Sequence, residues 1–123
     1  MADYIKLGDL DLYRMAVELS REARPTYEGL NWQDKKIMGD QFIESIDSVG
    51  ANIAEGYGRY HYKDRIKFYY NARGSLSESK HWGLFLYERG KINKAKFYSL
   101  LNKQQALHKK LNSYISSCYN YKQ

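Results

Sequence analysis

The chain has one proline and one cysteine in 123 residues. No run of apolar side chains approaches the roughly 18 residues that a bilayer-spanning helix needs. With Pro25 alone, long stretches contain nothing that breaks a helix. With Cys118 alone, an intramolecular disulfide framework is excluded, which fits a reducing, cytoplasmic setting. Residues 1–12 carry three aspartates, one lysine and no apolar block of signal-peptide length, so no export signal is expected there. Acid is also missing from one end: after Glu88 there is none, while Arg89 and seven lysines follow. Residues 1–58 hold six Lys/Arg against eleven Asp/Glu, a balance of −5, and residues 59–123 hold fourteen against three, a balance of +11. Such polarity suggests an anionic partner or charge-complementary self-association; a solvated, lysine-rich helix face is the plainer account.

The common marks of catalysis are absent as well. There is no Gly-x-x-x-x-Gly-Lys phosphate loop, and Gly56-x-Gly58 lacks a third glycine and follows a helical pattern where a dinucleotide fold requires a strand. His61, His81 and His108 lie in different segments, and none forms a recognisable nucleophile motif with a serine or cysteine. Cys118 falls on an apolar stripe and is read as a small core residue. Glu78-Ser79-Lys80-His81 places a carboxylate and an imidazole at i, i+3, where both reach one metal. A ferritin-like centre needs two such motifs and two further glutamates, so surface chance explains this one better. No enzyme, metal or cofactor is expected.

What is present is helical periodicity. Leu12, Met15, Ala16, Leu19 and Ala23 share a face in a first helix that Pro25 ends or just follows. Asn31 is the expected N-cap of a second helix, with Asp34 at its positive end. Met38, Phe42, Ile46, Val49 and Ile53 form its stripe, and a run over residues 32–55 is about 36 Å long. Gly50, Ala51 and Ala54 are small enough for a neighbour to approach, and Gly56 and Gly58 are expected to stop the helix in a left-handed cap. Asp64 opens a third helix to about Arg89, striped by Phe68, Ala72, Leu76, Ser79, Gly83 and Leu86. Its small residues Ser75, Ser79 and Gly83 are placed against Gly50, Ala51 and Ala54. Gly90 stops it, Asn93 caps the fourth helix, and Phe97, Leu100, Leu101, Gln104, Leu107, Leu111, Tyr114, Ile115 and Cys118 point inward. Four long helices with short connections predict one domain over residues 1–123, an all-α, antiparallel up-down four-helix bundle.

The best functional candidate is the segment 57–73. It sets Tyr57, Tyr60, His61, Tyr62, Tyr69 and Tyr70 among Arg59, Lys63, Arg65, Lys67 and Arg73, and the fourth helix adds Lys103, Lys109 and Lys110. Cations neutralise phosphates while aromatic rings stack on unpaired bases, which suits single-stranded or looped RNA. Tyrosine and arginine are equally the usual anchors of protein interfaces, so both readings stand. Asn52 and Glu55, beside Ile53 and Ala54, are read as structural, bonded to backbone or to a neighbouring subunit.

The block Ala51-Asn52-Ile53-Ala54-Glu55-Gly56-Tyr57-Gly58-Arg59, with Phe68, Ala72-Arg73-Gly74-Ser75-Leu76 and Glu78 behind it, resembles the bacterial four-helix bundle proteins encoded in intervening sequences of 23S ribosomal RNA genes. The resemblance covers nearly the whole chain and rests on those two blocks. It implies a left-handed up-down bundle assembled into a ring-like homo-oligomer, a pentamer, with no established enzymatic activity to carry over. The accessory protein of diversity-generating retroelements, which works with a reverse transcriptase and nucleic acid, is similar in fold and basic character, a fold-level analogy. Relatives often carry an arginine pair just before the Asn-Ile-Ala-Glu-Gly block. Here residues 41–48 read Gln-Phe-Ile-Glu-Ser-Ile-Asp-Ser, so nucleic-acid binding, RNA or DNA, is expected on the third and fourth helices instead. The alternative implied is a protein scaffold or accessory subunit of a nucleic-acid enzyme.

Overall fold

Amphipathic stripes four to a chain have one economical solution, and the computed structural model adopts it. It describes residue 7 and residues 10–121, and among them are four helices and no strand. They are α1 (Asp11–Glu28), α2 (residues 32–57), α3 (Tyr62–Glu88) and α4 (Lys94–Tyr121). Connections of three to five residues force each helix to run back beside its predecessor. α2 packs on α1 and α3, and α4 packs on α3 and closes against α1. The core holds most of the expected stripes: Leu12, Ala16, Leu19 and Ala23 from α1, Met38, Phe42, Ile46, Val49 and Ile53 from α2, and Leu100, Leu107, Leu111, Ile115 and Cys118 from α4, whereas Met15, Phe68, Phe97, Leu101 and Tyr114 are only half-buried. Tyr69, Ala72, Leu76 and Leu86 complete it from α3.

Two caps follow the expected chemistry. Asn31 Oδ1 accepts from the Asp34 amide at 2.8 Å, and Asn93 Oδ1 accepts from the Lys96 amide at 2.8 Å. Gly90 has φ +73°, and the Lys91 amide reaches the Leu86 carbonyl at 2.8 Å while the Gly90 amide reaches the Tyr87 carbonyl at 3.0 Å, the pair of hydrogen bonds that closes a helix on a left-handed residue.

Four expectations change. Pro25 does not end α1, which continues to Glu28. The bond lost at its missing N–H is offset by contacts of the last turn with α2: Tyr27 Oη donates to Asp40 Oδ1 at 2.6 Å, and Lys35 sits 5.1 Å from the Tyr27 ring centre. α2 is not uniform, because Lys35–Gly39 is a π turn. It lies where the helix passes the α1–α2 connection, and a Cβ on Gly39 would stand 2.8 Å from Leu30 Cδ1. α3 starts two residues before Asp64, with His61 at the cap position. Gly56 and Gly58 take no left-handed conformation: Gly58 caps α2 at φ −76°. Gly56 is required for closeness, since a Cβ there would meet Tyr69 Cε1 at 2.9 Å and Phe68 Cβ at 3.1 Å.

The small residues also pair differently from the expected pattern. Gly50 faces Ala16 of α1, whose Cβ would lie 3.6 Å from a Cβ added at Gly50, rather than the small stripe of α3. Gly83 faces the Phe42 ring, which a Cβ there would touch at an ordinary 3.6 Å, and Ser75 Oγ bonds Ser48 Oγ at 3.1 Å. Ser79 donates to the Leu76 carbonyl at 2.6 Å and accepts from Gln104 Nε2 at 3.0 Å, so the one polar residue in the α4 stripe is satisfied inside the core.

Candidate nucleic-acid interface

A helix surface rich in lysine becomes an anion-binding surface only where its charges are not already spent on carboxylates. On α4 the two flanks differ in this respect. On the α1 side, Glu22 receives Lys103 at 3.1 Å, Lys96 at 3.7 Å and the Ser99 hydroxyl at 2.6 Å. Burial pulls the Glu22 carboxyl upward, but these donors hold it below its ordinary value. Lys110 stands 4.0 Å from Asp11 on the same side. Lys103 and Lys110, both candidates from the sequence, therefore face the acids of α1.

The α3 side is different. Along the α3–α4 seam, contacts follow one another in antiparallel register. The Tyr87 and Phe97 rings stack at 4.5 Å, Lys80 Nζ meets His108 Nδ1 at 2.9 Å, Arg73 Nη1 donates to Asn112 Oδ1 at 2.9 Å, and the hydroxyls of Tyr70 and Tyr119 bond at 2.9 Å. From residue 70 to residue 87 this line is about 25 Å long at 1.5 Å per residue. Among the described residues, no carboxylate forms an ion pair with Arg73, Lys80, His108 or Lys109. His108 is held below its ordinary value by desolvation first, then by the charges of Lys80 and Arg73; burial also lowers Lys80. Arg73 lies 4.7 Å from the Tyr70 ring centre, a cation held on an aromatic face at the surface.

The α2–α3 turn gathers the other candidates. Arg59 pairs with Glu55 at 2.6 Å and covers Phe68 at 4.8 Å; Lys67 stands 5.7 Å from the same ring. Arg65 donates to the Arg59 carbonyl at 2.7 Å and lies 5.4 Å from the Tyr62 ring. Lys63 is exposed, and Tyr60, 87% exposed, is the most accessible aromatic of the group. Tyr57 and Tyr62 are half-buried. Tyr69 is a correction: it is core, 3% exposed, edge-on to Tyr114, and burial pushes its hydroxyl up to about 12. The alternation of tyrosines along 57–70 did not reveal that α3 turns this one inward above Gly56.

Asn52 bonds within its own helix, to the Ser48 carbonyl at 2.9 Å and the Ser48 hydroxyl at 3.1 Å. Glu55 is exposed, and its partner is the Arg59 side chain rather than backbone. Of the apparent metal motif, Glu78 accepts from the Trp82 indole at 3.3 Å and His81 packs 4.3 Å from the Phe85 ring. Cys118 is buried, and burial raises its thiol, which keeps it protonated. Lys80 and His108 were not among the sequence candidates. Their signal was positional: Lys80 follows Arg73 by seven residues, two turns along the same face, and His108 flanks the inward Leu107.

These features define a small helical bundle with one neutralised flank and one cationic seam. The chain belongs to the 23S rRNA-intervening sequence protein family, whose profile matches residues 8–113. It is similar, at 26% identity, to a protein of unknown function from the S23 ribosomal protein family of Bacteroides thetaiotaomicron. That crystal structure superposes with a TM-score of 0.80, over 85% of this chain and 97% of the other. No curated protein sequence matches the chain. No helix among the described residues is long and apolar enough to cross a membrane.

Proposed function

We propose that this protein is a non-enzymatic binding protein whose ligand is RNA, held along the α3–α4 seam and the start of α3. The observation that carries this reading is the contrast between the two flanks of α4: Lys96, Lys103 and Lys110 have carboxylate partners, while Arg73 and Lys80 of α3, and Lys109 of α4, have none among the described residues. Arg73 on the exposed Tyr70, itself bonded to exposed Tyr119, brings phosphate neutralisation and stacking surfaces together, and exposed Tyr60 adds an aromatic in the α2–α3 turn. The match to a family known from ribosomal RNA intervening sequences is in keeping with this reading. Binding of labelled structured RNA to the purified protein at several salt concentrations tests it. The expected result is affinity that falls steeply with salt. Absence of binding at low salt would overturn it.

A second reading, a homo-oligomeric scaffold or accessory subunit of a nucleic-acid enzyme without direct RNA contact, is favoured by a different observation. The groove between α1 and α2 is lined by Ala16, Ser20, Gly50, Ala51 and Ala54, small enough for a helix of another copy to approach, together with Tyr13, Val17, Arg21, Arg24 and Asp47. A ring of five copies is the assembly proposed on the family resemblance, and it is compatible with RNA binding by the seam. Sedimentation of the protein and of Ala51→Arg, an exposed position in that groove, tests the assembly. The variant is expected to sediment as smaller species.

A further inference from the structure

We propose that Lys80 and His108 form a phosphate subsite in the middle of the α3–α4 seam, and that occupying it takes up a proton at His108. The proposal rests on the reading of the seam as an RNA surface, and it names a residue and a proton linkage which that reading does not require.

The geometry begins with the 2.9 Å contact between Lys80 Nζ and His108 Nδ1. A lysine ammonium is only a donor, so Nδ1 must accept, and the ring proton of neutral His108 resides on Nε2. The unliganded pair thus carries one charge. Protonating His108 turns Nδ1 into a donor, breaks the contact and leaves two cations side by side. An anion that accepts from both removes that conflict, and a phosphate, with several acceptor oxygens, does so with charge-assisted bonds.

The surroundings make an anion the missing partner. From α3, the charges acting on His108 are those of Lys80 and Arg73, both positive. On α4 itself the adjacent charged residue is Lys109. α1, the other helix packed against α4, turns Glu22 and Asp11 to Lys96, Lys103 and Lys110 on the opposite flank. Among the described residues, no carboxylate contributes to the His108 environment. Burial first, and then these two cations, lower its proton affinity without a ligand, and an anion would reverse the sign of the local field.

Linkage then fixes the direction of the pH effect. If the ligand raises the proton affinity of His108, binding strengthens as pH falls, by up to tenfold for each unit that the ligand raises its pKa. Two measurements test this: RNA affinity at fixed salt between pH 7.5 and 5.5, and the His108 ring titration by NMR with and without pyrophosphate. His108→Gln keeps a polar side chain at this half-buried position, and His61→Gln controls for the other histidine near the basic segment. The expected result is RNA binding that tightens several-fold over this range in the wild type and His61→Gln, with a much flatter profile in His108→Gln. Pyrophosphate alone should raise the His108 pKa. RNA binding that is steep in salt but has the same pH profile in His108→Gln would overturn the subsite and leave the RNA reading intact. Failure of RNA to bind would remove that reading, and pyrophosphate then decides for the subsite: a His108 shift supports it, and an unmoved titration overturns it.

Discussion

The two flanks of α4 carry similar chemistry in sequence and opposite chemistry in space. Lys96, Lys103 and Lys110 lie toward α1, where Glu22 and Asp11 absorb their charge. His108 lies toward α3, where among the described residues the charges acting on it are those of Lys80 and Arg73. Counting lysines along one helix gives the field of the whole chain but not the place where an anion gains most. That place is set by the neighbouring helix. α1 comes from the acidic half of the chain and α3 from the basic half, so bundle order converts a charge gradient along the sequence into one neutral and one cationic seam.

The largest expected effect comes from removing charge on each flank in turn. Arg73→Ala with Lys80→Ala is expected to weaken RNA binding by about 10- to 100-fold and to reduce the slope of log affinity against log salt by about 1.4, two single-strand phosphate contacts. Lys96→Ala with Lys103→Ala removes the same formal charge from the other flank and is expected to change affinity less than about threefold, because only the long-range field is lost. Equal losses from the two double variants, measured by the same titration, would break the comparison.

Next is a variant that tests the core beneath both flanks while sparing them. Gln104 Nε2 donates to Ser79 Oγ at 3.0 Å, and both side chains are buried. Ser79→Ala leaves the amide without that acceptor and is expected to cost about 1–3 kcal/mol in chemical denaturation. Gln104→Leu together with Ser79→Ala should recover much of that loss, since an apolar pair leaves no donor stranded. RNA affinity of the folded fraction should not change. If it does, the seam is not independent of the core.

The fold was legible because the four stripes use the helical period and because Asn31, Gly90 and Asn93 mark helix boundaries with caps of known chemistry. What was illegible depends on contacts between helices. Pro25 reads as a stop until Tyr27 is seen held by Asp40, and Gly56 reads as a cap until Tyr69 is seen against it. The site was legible as a basic, tyrosine-rich region of α3 and α4. Sequence could not say that Lys103 is neutralised by Glu22, 81 positions earlier, or that Lys80 meets His108 across the seam. A charge's partner on another helix leaves no local pattern.

The smallest effects separate the flanks by pH. His108, a base whose proton affinity is lowered in the folded protein, makes folding less favourable as pH drops below its ordinary 6.5, because the unfolded chain then binds the extra proton. Glu22 is the opposite case, an acid whose pKa is lowered in the folded protein. Its contribution is present above its ordinary value of 4.5 and fades as pH falls through the lower folded value. Without RNA or phosphate, denaturation midpoints are thus expected to decline in two steps, the first assigned to the seam and the second to the α1 flank. His108→Gln should flatten the first step alone. Glu22→Gln should weaken the second and cost about 1 kcal/mol at pH 7, where Lys96 and Lys103 lose their shared partner. If Glu22→Gln also tightens RNA binding slightly, the freed lysines will have joined the cationic surface, and the difference between the flanks will trace to a single carboxylate.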